Sequence, residues 1–348
     1  MGFFARPLWA LILISAWPGF GQQATVRQVP RVVFPAPVDS SSPALRINNQ
    51  LVVYNSTGIV PVRSAGATQF NLAVTGDVVL GQSSHRPYWI ESTWLDDDGT
   101  LFAWYHHEPP NVCGALHLTA PQIGALVSSD GGRSFTDLGI ILQNGNPVDC
   151  TARNGFFAGG NGDFSVVPGK NKQYFYFLFT NYAGPQESQG VAVARMRFDR
   201  RHNPYGAVYK YFDDRWDEPG IGGRVSAIFP ANVGWSAADT DSFWGPSVHW
   251  NTYLGKFVML LNHSCCSPGW PQDGVYISYN DTLANPKGWT APVRLLDNVN
   301  WYPQIIGYAP VGTDKLAGKT ARLYVTAISD WEIVFEKSPP ADTATAPE

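Results

Sequence analysis

Four acidic residues stand where short strands begin or end: Glu91, Glu108, Asp163 and Asp241. Their neighbours are aromatic residues and glycines: WIEST at 89–93, YHHEP at 105–109, GGNGDF at 159–164 and DSFWGP at 241–246. Two carboxyl groups flanking one bond, one protonated and one ionised, are what hydrolysis of a glycosidic linkage requires. Asp163 is the first choice, because Gly159, Gly160 and Gly162 let backbone approach closely and an apolar strand follows it. Its structural reading is a carboxylate that caps backbone amides. Glu108 lies beside Pro109-Pro110 among aromatic residues, surroundings that raise a carboxyl pKa and suit a general acid. Glu91 competes for that role if a one-residue bulge brings it level with Asp163; its other reading is a buried partner of Arg86. Asp241 precedes the comparable strand of a later repeat. Asp149, Glu187 and Asp239 are outsiders, and Asp96, Asp97, Asp98, Asp130, Asp199 and Asp281 read as turn residues.

Around these acids lie groups that could hold a substrate. His106 and His107 alternate along a strand, so only one of them faces a given cavity. Arg86, Asn181, Asn262 and His263 are polar candidates, with His107 and Arg86 suited to hydroxyls or a carboxylate. Trp89, Trp244, Trp301 and Tyr302 sit near strand heads, where an aromatic face stacks on sugar C–H surface or is buried between sheets. No organic cofactor is expected. Converging histidines and acids leave room for a structural divalent cation, although no metal-binding signature supports one.

The elements that must position these groups are strands. From residue 44 onward, runs of five to eight residues rich in β-branched and aromatic types alternate with turn signals, and no helical period persists. The plan at 159–182, GGNGDFSVVPGKNKQYFYFLFTNY, recurs at 89–109 and 241–264, and more weakly at 302–330. Four-stranded units repeating every ~55–80 residues point to a propeller, and the length suits five antiparallel blades. Residues 44–337 form this single domain, and 44–81 supplies strands that could close the ring with the C-terminal end. Residues 23–43 read as a Pro/Ser-rich lead and 338–348 as a disordered tail. Long segments (108–122, 143–162, 213–245 and 262–273) gather on one face, where a binding site is expected.

With 348 residues and 44% of them hydrophobic, the chain can bury a large core. A net charge of −4 without a basic stripe argues against a nucleic-acid partner. Residues 1–22 have the form of a secretory signal: Arg6, a short apolar run, then small residues. Export, secreted or periplasmic, with no membrane association after cleavage, is therefore expected. Export permits disulfides. Cys113–Cys150 is the preferred pair, and Cys265-Cys266 either bond to each other or remain thiols. Oligomeric state is not legible.

Residues 128–135, SSDGGRSF, resemble the Asp-box of sialidase-type propellers, which implies a structural role for Asp130 in a turn away from the site. The hairpin GDFSVV…QYFYFLFTN resembles the inner strands of five-bladed arabinanase/β-xylosidase-type glycoside hydrolases. The wider text is similar to secreted bacterial propellers. That resemblance implies three carboxylates on successive inner strands acting as base, orienting partner and acid. Asp163 would be base or nucleophile, Glu108 or Glu91 the acid, and Asp241 the pKa-tuning partner. The expectation is a secreted hydrolase cleaving a polysaccharide or oligosaccharide. The rivals are a non-catalytic carbohydrate-binding propeller and an exo-sialidase, which needs three convergent arginines such as Arg86, Arg153 and Arg224.

Overall fold

The computed structural model describes residues 24–81, 85–114, 116–297 and 299–337. The signal segment and the C-terminal tail inferred above lie outside these residues. Five antiparallel sheets follow one another along the chain. Blade 1 runs Ala44–Ile47, Gln50–Asn55, Val62–Gly66, Ala73–Asp77, and blade 2 runs Trp89–Leu95, Leu101–His107, Gln122–Ser128, Ser134–Leu142. Blade 3 is Asn161–Pro168, Tyr174–Asn181, Gly190–Arg197, Val208–Phe212, and blade 4 is Ser242–Asn251, Lys256–Ser264, Gln272–Asn280, Val293–Asp297. The first strands of adjacent blades touch one another and form the hub.

Blade 5 is built differently from the sequence expectation. Its strands Gln304–Gly307, Thr320–Val325 and Ile328–Phe335 are completed by Ala24–Val33, which pairs antiparallel with Ile328–Phe335 from Ala24↔Phe335 onward. Part of the expected lead is thus the outermost strand of the last blade, and residues 44–77 make a blade of their own. Phe34 ends this strap by stacking on Tyr324 at 4.3 Å. The long 213–245 segment also holds two short strands, Arg215–Pro219 and Ala227–Pro230, that pair with blade 3.

The strand YFYFLFTN shows why blades stack. Side chains alternate between faces, so Phe175, Phe177 and Phe179 pack with Trp104 and Ile123 of blade 2. Tyr176 and Leu178 pack with Met259 and Leu261 of blade 4. Both faces are buried, so the strand is apolar throughout rather than alternating, and each buried Phe stabilises the stack by roughly 2 kcal/mol. Cys113 and Cys150 are bonded at 2.06 Å, tying together two of the long loops, as the sequence suggested. Cys265 and Cys266 are bonded to each other.

Candidate active site

Over their first halves the inner strands of blades 2 to 4 have no strand to complete a ladder on their hub side, although the far end of the blade 4 strand pairs with Leu316–Ala317, so their N–H groups need other acceptors. Short side chains of the adjacent blade supply them. Val166 N–H donates to Ser92 Oγ (2.8 Å), Val248 N–H to Ser165 Oγ (3.2 Å) and Gly245 N–H to Thr180 Oγ1 (2.9 Å). Three inner strands also slip register near their heads: blade 2 between Ile90 and Ser92, blade 3 between Gly162 and Phe164, and blade 4 between Trp244 and Ser247. A bulge re-aims the side chain of the extra residue. In blades 2 and 3 that residue is a carboxylate, Glu91 and Asp163.

The two bulged acids meet around one imidazole. Glu91 Oε2 accepts from Phe164 N–H at 2.6 Å, and its Oε1 lies 3.2 Å from His106 Nδ1. His106 Nε2 lies 3.4 Å from Glu108 Oε1, at the end of the same strand. Asp163 N–H points at His106 Nδ1 from 3.2 Å, and Tyr182 donates its O–H to Asp163 Oδ2. Donor atoms of Glu91, His106 and Asp163 all lie within 4.8 Å of one another. Asp163 has φ +41°, and a Cβ on Gly162 would stand 2.7 Å from the His106 ring, so glycine at 162 is a requirement of this packing.

Electrostatics separates these groups. Burial raises the Asp163 pKa; the His106 charge pulls it down and the Glu91 charge pushes it up, leaving it at about 7. Burial disfavours the His106 imidazolium, but Glu108 and Glu91 outweigh it and hold its pKa well above the ordinary value. Burial first, then Asp163, lifts Tyr182 well above a normal phenol, so it stays a proton donor to the carboxylate. A further acid belongs to this group. Asp39, half-buried, accepts from Tyr302 O–H at 3.4 Å, and burial together with the Glu108 charge raises its pKa.

An aromatic layer covers one side of this centre: Phe157, Tyr182, Trp235, Trp244, Trp270 and Tyr302 are all buried, with Trp301 against them. Trp270 contacts Trp235 at 4.7 Å and Trp244 at 5.1 Å between ring centres. Around this centre Asp39, Glu108, Trp89 and Trp301 are partly exposed.

Other expected site residues are placed elsewhere. Asp241 does not join the hub carboxylates; it accepts from Asn232 Nδ2 (3.2 Å) and meets His263 Nε2 (3.0 Å), and the bulge of its own strand holds Gly245 instead. His107 points away from His106, toward Pro87 O (3.3 Å) and the His85 ring. Asn181 is fully buried, and its amide is spent on Ala183 O, Ser188 O, Asn161 and Asn144. Asn262, also buried, accepts from Tyr302 N–H at 3.1 Å. Trp244 is buried with its Nε1–H on Gln272, so it offers no exposed sugar platform. Arg86 is exposed, and Glu91 pairs with His106 rather than with it. Arg153 is also exposed, and Arg224 is held by Glu218.

Sequence reasoning missed Asp39, Tyr182 and Thr180. Asp39 lies five residues before the inner strand of blade 1, in the segment read as a lead, so a strand-head pattern confined to residues 44–81 does not reach it. Asp130, by contrast, sits in its turn as expected, its Oδ1 accepting the Arg133 and Ser134 N–H groups at 3.0 Å.

In sequence, no family model and no curated protein matches the chain. Solved structures do match it. An endo-arabinase from Bacteroides thetaiotaomicron superposes with a TM-score of 0.52 at 11% identity, covering 88% of this chain and 97% of that one. An alpha-L-arabinanase from Cellvibrio cellulosa gives 0.52 at 8% identity, covering 86% and 92%. An exo-beta-1,3-galactanase from Phanerochaete chrysosporium gives 0.49 at 12% identity; 88% of this chain is covered but only 64% of the galactanase. What this chain has in common with the two arabinanases is its fold, the five-bladed β-propeller.

Proposed function

We propose that the chain is an exported glycoside hydrolase that cleaves an arabinan-like polysaccharide or oligosaccharide by paired-carboxylate catalysis. The observation that carries this reading is the pair of bulges that turn Glu91 and Asp163 onto one buried imidazole, with Asp39 and Glu108 beside it. The two arabinanases that share the fold suggest the substrate class.

In this mechanism Asp163 is the general acid rather than the base. Its burial keeps a proton on it near neutrality, and Tyr182 occupies Oδ2, which leaves Oδ1 to carry the proton toward the glycosidic oxygen. As the C–O bond breaks, that proton passes to the leaving sugar. Asp39, more exposed, takes a proton from the attacking water. Asp39 then gives its proton up to solvent, and solvent returns one to Asp163. Glu91 and His106 act as positioning residues: Glu91 fixes the Phe164 backbone, and its charge and that of His106 set the Asp163 pKa from opposite sides.

A screen on arabinan, galactan and xylan, and on aryl arabinosides, galactosides and xylosides, tests the reading, with Asp39→Asn and Asp163→Asn as controls. Turnover of any of these that both variants abolish supports it. Sugar binding without turnover in the wild type would make the chain a carbohydrate-binding propeller instead. Sequencing the N-terminus of the mature protein tests export; a start near residue 23 is expected.

A further inference from the structure

A second constellation lies on the rim of blade 4, outside the centre described above. His263, near the end of Lys256–Ser264, holds a carboxylate on each ring nitrogen: Asp273 Oδ1 lies 2.9 Å from Nδ1, and Asp241 Oδ1 lies 3.0 Å from Nε2. Two sulfurs close the group. Donor atoms of Asp241, Cys265 and Cys266 lie within 4.8 Å of one another, as do those of His263, Cys265 and Asp273. Among the described residues no lysine or arginine pairs with Asp241, whereas Asp273 is already met by Arg294 and by the Tyr276 O–H. Two sulfurs, one imidazole nitrogen and one carboxylate oxygen form a donor set suited to a tetrahedral, thiophilic divalent cation. The two triads share Cys265, and the Asp241–His263 contact joins them at 3.0 Å, so the ion would draw His263 and Cys266 together about that common sulfur. A carboxylate on the far nitrogen of a metal-bound histidine fixes its tautomer and strengthens it as a ligand, and Asp273 stands there.

We propose that this rim is a redox-gated site for zinc or a similar cation, with Asp241, His263, Cys265 and Cys266 as ligands and Asp273 as the positioning residue. With the sulfurs bonded to each other the site has no thiolate to give and is closed. A dithiol reductant opens it. One of its thiolates attacks a sulfur of the pair, its second thiol displaces the resulting mixed disulfide, and it leaves as a cyclic disulfide. Cys265 and Cys266 thereby gain two electrons and two protons, and the cation then displaces those protons. Access is open: Cys266 is exposed, and the Asp241 and Asp273 side chains are 21% and 25% exposed.

The test is titration of the full chain with Co²⁺ and Zn²⁺, before and after dithiol reduction and anaerobic desalting. The expected result is one equivalent of Co²⁺ with thiolate-to-cobalt charge-transfer bands, displaced by Zn²⁺, in the reduced chain alone. Cys265→Ser/Cys266→Ser should abolish the bands, and Asp273→Asn should weaken binding about 10–100-fold. Circular dichroism checks the fold of each variant, and His263→Gln, which keeps both sulfurs, tests the site if the double serine variant fails to fold. Bands that persist in the double serine variant, equal binding by the oxidised chain, or no bands on reduction would each overturn the proposal.

Discussion

Two histidines in this molecule are each clasped by a pair of carboxylates, His106 by Glu91 and Glu108 and His263 by Asp241 and Asp273. Both sit near the end of a blade's second strand. Their settings differ in water. The His106 and Glu91 side chains are 2% and 0% exposed and Glu108 alone of that trio reaches 25%, whereas His263, Asp241 and Asp273 are 12%, 21% and 25% exposed. At the hub, burial turns the arrangement into a device that moves pKa values, because neighbouring charges interact more strongly where solvent is excluded. At the rim, solvent screens the same pattern and leaves it open to exogenous ligands. The bulge is the cause of the difference. In blades 2 and 3 it delivers an acid to the axis, while in blade 4 it delivers Gly245 and leaves Asp241 outside.

The largest effect expected from breaking the hub is that of Asp163→Asn. Asparagine tolerates the positive φ, so the fold should survive while kcat falls about 10³-fold, within the usual range for loss of a general acid. Retention of more than a tenth of the activity would remove Asp163 from the chemistry. The same variant has a stability signature. The folded state keeps this proton up to about pH 7, while the unfolded chain releases it near 3.8. Stability therefore falls as pH rises through that window. Asparagine escapes the loss, so its Tm should exceed that of the wild type at pH 8, with the gap closing below pH 4.

Next in size are His106→Gln and Glu91→Gln, each expected to cost about 100-fold in kcat/KM through misplacement of Asp163. Their pH profiles should diverge. Losing the imidazolium raises the Asp163 pKa and moves the alkaline limb up, whereas losing the Glu91 charge moves it down. His263→Gln should leave the limb where it is, and an equal shift would mean that hub and rim are electrostatically one site. Gly245→Ala comes third. Its Cβ would stand 2.5 Å from Asn262 Nδ2 at φ +57°, a conformation costing an ordinary residue about 1–2 kcal/mol, which a urea denaturation midpoint would register. The smallest effect belongs to Asp130→Ala, about 1 kcal/mol from lost turn hydrogen bonds with turnover unaltered. The Asp130 pKa is lowered to about 2; burial alone would raise it, but the Ser134, Ser128 and Arg133 hydrogen bonds prevail. Its contribution is therefore present above pH 4 and lost as pH falls toward 2.

The repeats and their strands were legible because apolar runs and turn residues depend on local chemistry, as in YFYFLFTN and the DDDG turn at 96–99. The blade count followed from them. Glu91 could be placed only on condition of a bulge, since a shift of one residue reverses which face a side chain takes. Asp241 shows the opposite failure. It looks like Asp163 in sequence, yet the slip in its strand falls at Gly245, and nothing local announces that. Asn181 and Trp244 carry polar atoms that suggested ligand contacts; long-range folding commits those atoms to the protein itself. Asp39 was hidden because it lies in the irregular segment ahead of a blade whose hairpin lacks the aromatic signature of the others. Ala24–Val33 was hidden because its partner is some 300 residues away.

That distant partnership sets a timetable. The first and last described strands lie side by side, so the barrier to joining them includes bringing together segments separated by nearly the whole polypeptide. At the axis, the contact that needs the last blade in place is that of Tyr302 with Asp39. A polypeptide still short of its final blade would therefore hold four folded modules with Asp39 lacking its Tyr302 partner, and the acid cluster would be complete only with the ring.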